Sequence, residues 1–294
     1  MKVHVIVNPG SGRPQPTLHE INSVFHPAGV EWDVSITHAS GDAERAARNA
    51  AEQGADVVAA CGGDGTVMEV AQGVIGTPAE LGVLPGGTAN LMAHELGVAQ
   101  SLRFAAQVIA DPGSRRVPLD LGRANGKYYI LRFGVGFGAR QVADATRELK
   151  DRFGVLAYFL GKVQAWGESD VVAYSIEVDG VVYDTEAFAV SVVNAGNVGL
   201  GPLRLARDVS VSDGLLDLLV LREKGPRAIG ALGVEIVGVP AEDSMIEHVQ
   251  GRRFTITATP AQPMQIDGEV FGETPVDIEV VPAALTAIVP SVPA

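Results

Sequence analysis

The sequence predicts two domains of different class, an α/β domain followed by a mainly antiparallel β domain. In the first part, short apolar runs alternate with helix-like segments, as in parallel sheets covered by helices. From about residue 118 onward, β-like runs follow one another closely, and Asn125-Gly126 and Asp179-Gly180 are each typical of a tight hairpin. We expect the first domain to cover residues 1–118 with a returning tail at 283–294, and the second to cover residues 119–282.

In the first domain, each predicted strand is followed by a helix-like segment. The strands are expected at residues 3–7, 31–37, 57–61 and 81–84, and continuous apolar runs are typical of strands buried on both faces. The helices are expected at residues 17–29, 66–75 and 89–96, with a further helix that Ser40 or Asp42 caps and that runs to Gly54.

The second domain is read mainly as strands, with one helical insert at about residues 141–166. The expected strands cover residues 119–123, 127–133, 174–178, 181–184, 187–193, 215–221, 253–258, 264–266 and 276–281. A last apolar run, Leu285–Val289, is expected to return to the first domain.

Composition and charge argue against several classes of protein, among them nucleic-acid-binding, disulfide-bonded and membrane-spanning proteins. The 294 residues carry a net charge of −13, which argues against general nucleic-acid binding and against strong electrostatic adhesion to anionic lipid. Cys61 is the single cysteine, so an intramolecular disulfide and a cysteine-based zinc site are excluded. No apolar stretch approaches the ~18 residues of a membrane span, and the first residues are read as a strand rather than a signal peptide.

Glycine-rich turns follow three of the predicted strands. One reads Cys-Gly-Gly-Asp-Gly-Thr at residues 61–66, and the others are Asn8–Gly12 and Pro85–Asn90. The carboxyl ends of parallel strands share one sheet edge, where α/β proteins bind ligands. Glycines let the backbone approach a phosphate chain, and unpaired N–H groups at a helix start favour anions. Structural turns are the alternative interpretation, but three such turns on one edge favour a nucleotide-phosphate site.

Asp64, in the middle of one of these turns, adds a cation to the prediction. A carboxylate beside phosphates is repulsive unless a metal ion or a transferable proton lies between them. The turn therefore predicts phosphate chemistry with a divalent cation. Its spacing is neither the G-x-x-x-x-G-K-[ST] of a P-loop nor the G-x-G-x-x-G of a dinucleotide-binding fold.

Together these motifs resemble the signature of the diacylglycerol kinase catalytic family, which includes bacterial soluble lipid kinases and sphingosine kinases and is related to NAD kinases. The resemblance covers nearly the whole chain, since it continues at Asp213–Asp217, Asp267–Glu269 and Pro282–Leu285. It implies an NAD kinase-like α/β domain with a parallel sheet and a sandwich-like, mainly antiparallel β domain.

The resemblance implies that ATP binds at the carboxyl edge of the first domain. The matched positions are Asn8, Pro9, Gly10, Ser11, Gly12, Thr37, Gly62, Gly63, Asp64, Gly65, Thr66, Val67, Met68, Gly87, Thr88 and Asn90. Two positions depart from the family's pattern. Met68 stands where the family usually has Asn, and Leu91 stands where it usually has Asp, which puts nucleotide choice and the local metal network in question.

The acids of the β domain each carry two interpretations. Asp267-Gly268 alone is typical of a type I′ hairpin turn, whereas the resemblance implies Glu269 as the general base, with Asp267 as second choice. Asp64 is implied to hold a metal ion or water between ATP and the acceptor. Asp213 either lies in a turn that leads into a strand or, by the resemblance, binds a second, structural Mg²⁺ together with the carbonyls of Ser210 and Leu215.

The activity that the resemblance implies is transfer of the ATP γ-phosphate to a lipid hydroxyl, with diacylglycerol as the first choice and phosphatidic acid as product. The alternatives are an NAD kinase-like enzyme and a nucleotide-binding regulator with weak catalysis. The apolar segment Phe153–Trp166 is either a core helix or a rim that contacts the bilayer transiently. We expect a cytoplasmic protein, peripheral at the inner membrane surface, with no nucleic-acid partner; a homodimer stays open.

Overall fold

Two units make up the structure, a computed structural model that describes residues 1–12, 16–98, 101–136, 171–197, 204–206, 208–222 and 246–291. The first unit consists of Met1–Leu119 and Ala283–Ala294, and the second of Asp120–Pro282. The predicted helical insert at 141–166 and its apolar segment Phe153–Trp166 lie outside the described residues.

A parallel sheet forms the centre of the first unit. Its strands are β1 (Lys2–Val7), β2 (Glu31–Ile36), β3 (Val57–Gly62) and β4 (Glu80–Pro85), in the order β2-β1-β3-β4. Strand β3 is buried along its whole length, as its continuous apolar sequence predicts. The end of the last strand, β16 (Val276–Val289), pairs in parallel with β4 through Ala287 and Leu81, so the apolar tail does return to this sheet.

Five helices accompany this sheet among the described residues: α1 (Thr17–Phe25), α2 (Asp42–Glu52), α3 (Asp64–Val74), α4 (Leu91–Glu95) and α5 (Leu102–Ala110). Helix α2 packs against α3, and α1 packs against α5. Helix α1 ends four residues earlier than predicted because Pro27 has no N–H to continue it. Helix α3 begins two residues earlier than predicted, at Asp64, and α4 begins only after Asn90, whose φ is +47°.

Two antiparallel sheets form the second unit. Their strands are β5 (Arg115–Ala124), β6 (Lys127–Tyr129), β7 (Arg132–Val135), β8 (Val172–Val178), β9 (Val181–Ala187), β10 (Ala189–Val193), β11 (Leu216–Leu221), β12 (Ile246–Gly251), β13 (Arg253–Thr259), β14 (Pro263–Ile266) and β15 (Glu269–Glu273). One sheet has the order β12-β11-β10-β7-β14-β15. The other joins the first part of β16 to β13, β8 and β9, and β5 and β6 form a hairpin beside β16.

The core of the second unit lies between these sheets. Phe133, Val190 and Leu218 come from one sheet, Tyr174 and Ile256 from the other, and all belong to one buried cluster. Burial alternates along β8 and β13, which is typical of strands with one face toward a core and one toward water. The predicted fold class, a parallel α/β domain with a sandwich-like antiparallel β domain, is confirmed.

The predicted strand at residues 127–133 is wrong in extent. Residues 127–133 form two strands, β6 and β7, instead of one. The interruption lies at Ile130 and Leu131, because their backbone N–H groups donate to the side chain of Asp267 and not to a neighbouring strand. The sequence pattern at 127–133 does not reveal a side chain that is 136 positions away.

We expect Gly73→Ala to destabilise the first unit, because α2 and α3 touch at this glycine. A Cβ at Gly73 would lie 2.5 Å from Ala47 Cβ and 2.5 Å from the Glu44 carbonyl oxygen. Overpacking of this kind costs about 1–3 kcal/mol, measurable as a lower urea midpoint. Gly65→Ala on the same helix is the control: its Cβ meets open space, so helix propensity should make it neutral or slightly stabilising. Equal midpoints for the two variants would contradict the packing argument.

Candidate functional site

The three glycine-rich turns interlock at the carboxyl edge of the parallel sheet. We call Asn8–Gly12 the first turn, Gly62–Thr66 the second turn and Pro85–Asn90 the third turn. The Asn8 N–H donates to the carbonyl of Cys61 at 2.9 Å, and the Gly86 N–H donates to the carbonyl of Gly62 at 2.9 Å. Backbone hydrogen bonds therefore join the second turn to the third, and the first turn to the end of β3, directly before the second turn.

Two glycines are required by the closeness of these turns. Gly12 has a φ of +65°, and a Cβ there would lie 1.9 Å from the carbonyl oxygen of Gly86. A Cβ on Gly87 would lie 2.5 Å from the Cα of Gly63. Side chains at these positions would push the turns apart, so the glycines at Gly12 and Gly87 serve the assembly of the edge as well as access for a ligand.

Two asparagine side chains fasten the turns. Asn8 Nδ2 donates to Thr66 Oγ1 at 3.0 Å, and Asn8 Oδ1 accepts the Gly10 N–H at 2.9 Å. Asn90 Oδ1 accepts the Gly87 N–H at 2.8 Å, while its Nδ2 donates to the Gly87 carbonyl at 2.9 Å. The side chains of Asn8 and Asn90 thus hold turn backbone, and Thr66 is engaged before any ligand arrives.

Asp64 lies in the first turn of α3, and its Oδ1 accepts the backbone N–H of Met92 at 3.0 Å. One carboxylate oxygen therefore anchors the start of α4, while Oδ2 has no hydrogen-bond partner within the described ranges. Among the described side chains, none caps α3 at Gly63. The start of α3 consequently offers backbone N–H groups beside one carboxylate oxygen, an arrangement suited to a phosphate with a bridging cation.

The remaining predicted nucleotide residues divide by exposure. Pro9, Gly10, Gly65 and Thr88 are exposed, and Ser11 is half-buried with its hydroxyl donating to the Asn8 carbonyl at 2.8 Å. The side chains of Thr37, Val67 and Met68 are buried. Val67 and Met68 are therefore buried residues near the start of α3, and the departure at Met68 places an apolar side chain at a buried position.

In the second unit, Asp267 and Gly268 form the predicted two-residue hairpin turn between β14 and β15. Their φ values of +47° and +97° match a type I′ turn. The Asp267 carboxylate turns back and accepts the backbone N–H groups of Ile130, Leu131 and Arg132 at 3.1, 3.1 and 2.8 Å. Asp267 is therefore committed to holding backbone.

The two acids of this hairpin differ in environment. Burial raises the pKa of the Asp267 carboxyl group to about 6, and this outweighs the lowering by the three N–H donors. Glu269, the first residue of β15, is exposed, and its side chain has no hydrogen bond or ion pair with any residue that the structure describes. Of the two carboxylates, that of Glu269 is the one accessible to a reacting group.

The turn that carries Asp213 is anchored to Asp120 on β5. The Asp120 N–H donates to the Val211 carbonyl at 2.7 Å, and Asp120 Oδ2 accepts the Gly214 N–H at 2.6 Å. Asp213 itself is exposed, and its Oδ1 accepts the Leu215 N–H at 3.0 Å. The loop is thus held in shape with one carboxylate at its surface.

Electrostatics at Asp213 suit a divalent cation. Although Asp213 is exposed, partial desolvation of its carboxyl group raises its pKa, and the carboxylates of Asp217 and Asp120 raise this pKa further, against a lowering by the Leu215 N–H. Within the described ranges, no group of three or more His, Cys, Asp or Glu side chains is arranged to hold a metal ion. A cation here would therefore depend on carbonyl oxygens, such as those of Ser210 and Leu215, which are ligands that Mg²⁺ accepts.

Known proteins resemble the chain over almost its full length. The diacylglycerol kinase catalytic domain profile matches residues 2–124, and the profile of the YegS C-terminal NAD kinase beta sandwich-like domain matches residues 132–289. The diacylglycerol kinase of Bacillus subtilis is 31% identical over 280 residues, which cover 93% of this chain and 91% of that protein. The chain belongs to the diacylglycerol kinase catalytic family.

Two further relatives support this membership. An uncharacterised protein of Synechocystis is 31% identical over 98% of this chain and 70% of its own length. A crystal structure of a candidate diacylglycerol kinase from Bacillus anthracis superposes with a TM-score of 0.84 at 28% identity, covering 98% of this chain and 97% of that one. Family membership makes the protein a phosphotransferase of the lipid-kinase type.

In the described part of the chain, no helix is long and apolar enough to cross a membrane.

The sequence patterns did not predict the roles of two polar residues, Glu69 and Asn194, that hold other segments of the chain in place. Glu69, directly after Met68, accepts hydrogen bonds from Ser40 and from the Ala43 backbone. Asn194 is fully buried, and its Nδ2 donates to the carbonyls of Asp120 and Ile130, both at 2.9 Å. Polar residues inside otherwise apolar segments were the available signal, but their partners are distant in the sequence.

We expect the stability contributed by Asp267 to depend on pH. Its folded pKa of about 6 lies above the ordinary carboxyl value, so the folded protein binds more protons than the unfolded chain between about pH 4 and pH 6. The free energy of unfolding of the wild type should therefore fall relative to that of Asp267→Asn as pH rises through this range. Each unit of raised pKa corresponds to about 1.4 kcal/mol.

Urea unfolding of both proteins at pH 4.5, 5.5 and 6.5, values chosen to span roughly this interval, measures the difference. Asn keeps a single acceptor oxygen, so the variant also loses a pH-independent amount of stability. A constant difference across the three pH values, or one of opposite slope, would show that the carboxyl group titrates below this range.

Proposed function

We propose that this protein is an ATP-dependent lipid kinase that transfers the γ-phosphate of ATP to the free hydroxyl of diacylglycerol, forming phosphatidic acid. The observation that carries the proposal is the interlocked edge of three turns, with Asp64 in the first turn of an uncapped α3. Membership of the diacylglycerol kinase family, together with the similarity to the Bacillus subtilis enzyme, supports the choice of acceptor.

ATP is proposed to lie along the carboxyl edge of the parallel sheet. Its phosphates would accept hydrogen bonds from backbone N–H groups of the second turn, from the N–H of Gly12 and from the exposed hydroxyl of Thr88. The N–H groups of Asn8, Gly10 and Ser11 already donate within the protein. The buried Thr37 directly follows β2, which lies on the side of β1 away from β3. Thr37 would therefore mark the limit of the nucleotide site on that side. Val67 and Met68, also matched to the nucleotide site, are buried, so their side chains are not proposed to contact ATP.

The reaction balances as a direct displacement. The lipid hydroxyl oxygen forms a bond to the γ-phosphorus while the bond from that phosphorus to the β–γ bridging oxygen breaks and ADP leaves. The hydroxyl proton goes to the Glu269 carboxylate, which is exposed and has no described partner. Asp267 is assigned to holding Ile130–Arg132, since its two oxygens accept three backbone hydrogen bonds there.

Mg²⁺ fits two sets of residues in this chain. Asp64 Oδ2 is the oxygen left for a cation beside the phosphates, and Asp213 with the carbonyls of Ser210 and Leu215 is the second set. An ion held at Asp64 would neutralise phosphate charge during transfer, whereas an ion held at Asp213 would be structural. A cation there would offset the repulsion between Asp213 and the carboxylates of Asp217 and Asp120, which contributes to the raised pKa of Asp213.

The acceptor is proposed to reach the enzyme at a membrane surface, since a diacylglycerol hydroxyl lies close to the headgroup region. Contact should be brief, because a net charge of −13 opposes adhesion to anionic lipid. A homodimer also stays an expectation, and a measurement of the protein's molecular mass in solution would test it.

The test is transfer of labelled γ-phosphate from ATP to diacylglycerol in mixed micelles. We expect the wild type to form labelled phosphatidic acid, and Glu269→Gln to lower kcat by about 10²-fold or more, since that is the usual contribution of a general base. Glu273→Gln is the matched control, because Glu273 is also an exposed glutamate on β15, and it should keep wild-type kcat.

Labelled NADP from NAD, without labelled lipid, would instead identify an NAD kinase. ATP binding without transfer to any acceptor, and indifference to Glu269→Gln, would identify a nucleotide-binding regulator. Equal kcat values for Glu269→Gln and Glu273→Gln in an active enzyme would remove Glu269 from the role of base.

We expect Mg²⁺ to raise the thermal midpoint of the wild-type protein and Asp213→Asn to reduce this rise. A ligand that binds only the folded state adds about 2.7 kcal/mol at a hundredfold excess over its Kd. Scans with EDTA and with increasing MgCl₂ measure the effect without turnover. Asp208→Asn, which changes an exposed acid near the same loop, should respond like the wild type. An identical Mg²⁺ response in the Asp213 variant would exclude Asp213 as a ligand.

A further inference from the structure

Glu69 joins helix α3 to the beginning of helix α2. Its Oε1 accepts the hydroxyl of Ser40 at 3.2 Å, and its Oε2 accepts the backbone N–H of Ala43 at 3.1 Å. Ala43 is the second residue of α2, so a negative group lies where unpaired N–H groups and the helix dipole favour it. Glu69 is thus a helix cap supplied from a different helix.

A second connection between α2 and α3 lies at the far end of α3. Arg48 on α2 donates from Nη1 to the Ile75 carbonyl at 2.8 Å and from Nη2 to the Gln72 carbonyl at 2.9 Å. These are the unpaired carbonyls of a helix end, where a cation is favourable. Between the two connections the helices touch at Gly73, where a side chain would not fit.

The Glu69 connection reaches a segment that belongs to the candidate site. Residues 38–41 link β2 to α2, directly after Thr37. Asp42 Oδ2 accepts the N–H groups of His38 and Ala39 at 2.8 and 2.9 Å, which fastens this segment to the start of α2. Fixing the start of α2 therefore fixes residues 37–41 as well.

The second turn leads directly into α3, and Glu69 follows it by one helical turn. Both α2 and α3 begin at the carboxyl edge of the sheet, since each follows the carboxyl end of a parallel strand. The Glu69 connection consequently joins the segment after β2 to the second turn, across the first turn that lies between them.

We propose that Glu69 is a positioning residue for ATP, which sets the distance between the Thr37 segment and the phosphate-binding second turn. This inference rests on the proposed function, because it assigns the nucleotide to this edge. Glu69 touches neither phosphate nor acceptor in this role, and acts through Ser40 and Ala43. Losing it should weaken ATP binding while leaving the transfer step itself nearly intact.

Substitution of Arg48 provides a control that separates a loss of stability from a loss of ATP affinity. It joins the same two helices through two hydrogen bonds, as Glu69 does, but at the end of α3 remote from the edge. Arg48→Met and Glu69→Ala should both lower the urea midpoint. Only the Glu69 variant is expected to change ATP affinity.

The experiment measures the Kd for ATP by isothermal titration, and KM for ATP and kcat by labelled-phosphate transfer, for wild type, Glu69→Ala, Glu69→Gln and Arg48→Met. We expect Glu69→Ala to raise Kd and KM about tenfold with kcat within about twofold, the signature of lost ground-state binding. Glu69→Gln keeps an acceptor oxygen, so it should recover most of the affinity. Arg48→Met should keep wild-type Kd and KM.

The inference is overturned if Glu69→Ala binds ATP as the wild type does, or if Arg48→Met weakens ATP binding equally. A wild type that does not bind ATP overturns both this inference and the proposed function. A wild type that binds ATP but transfers no phosphate contradicts the proposed function alone, because the Kd values of the variants still decide the role of Glu69.

Discussion

The close approach of three backbone turns at one sheet edge is the constraint on which the first unit depends. Gly12 approaches Gly86, and Gly87 approaches Gly63, at distances that exclude a Cβ. Because these contacts are backbone to backbone, they need strands in accurate parallel register and helices that hold the ends of those strands. The polar side chains around the edge, among them Asn8, serve this requirement by hydrogen bonding turn atoms.

The second unit meets a similar requirement with carboxylates. Asp267 and Asp120 each accept backbone N–H groups from a segment distant in sequence, and each leaves a neighbouring acid, Glu269 or Asp213, at the surface. A carboxylate that holds backbone fixes the place of an exposed one, which is proposed to react or to bind a cation. Acids that look alike in the sequence therefore divide into supporting and accessible groups, according to their environment.

Local sequence patterns were sufficient to predict most of the fold and part of the candidate site. Apolar runs predicted β1, β3 and β4, and the two Asn-Gly and Asp-Gly hairpins lie where their turn chemistry places them. The division of 127–133 into two strands could not be predicted, because it depends on the distant Asp267. Glu69 was overlooked for the same reason: its partners at Ser40 and Ala43 meet it only after two helices have packed.

The pairing of Ala287 with Leu81 has a consequence for the order in which the protein is made. The first unit takes a strand from residues that follow the whole second unit, so the ribosome has to synthesise the chain as far as Ala287 before that sheet is complete. Domains usually fold in the order of their synthesis. Here the second unit can fold first, while β4 is still without its neighbouring strand β16. The N-terminal unit is then the last to complete its sheet.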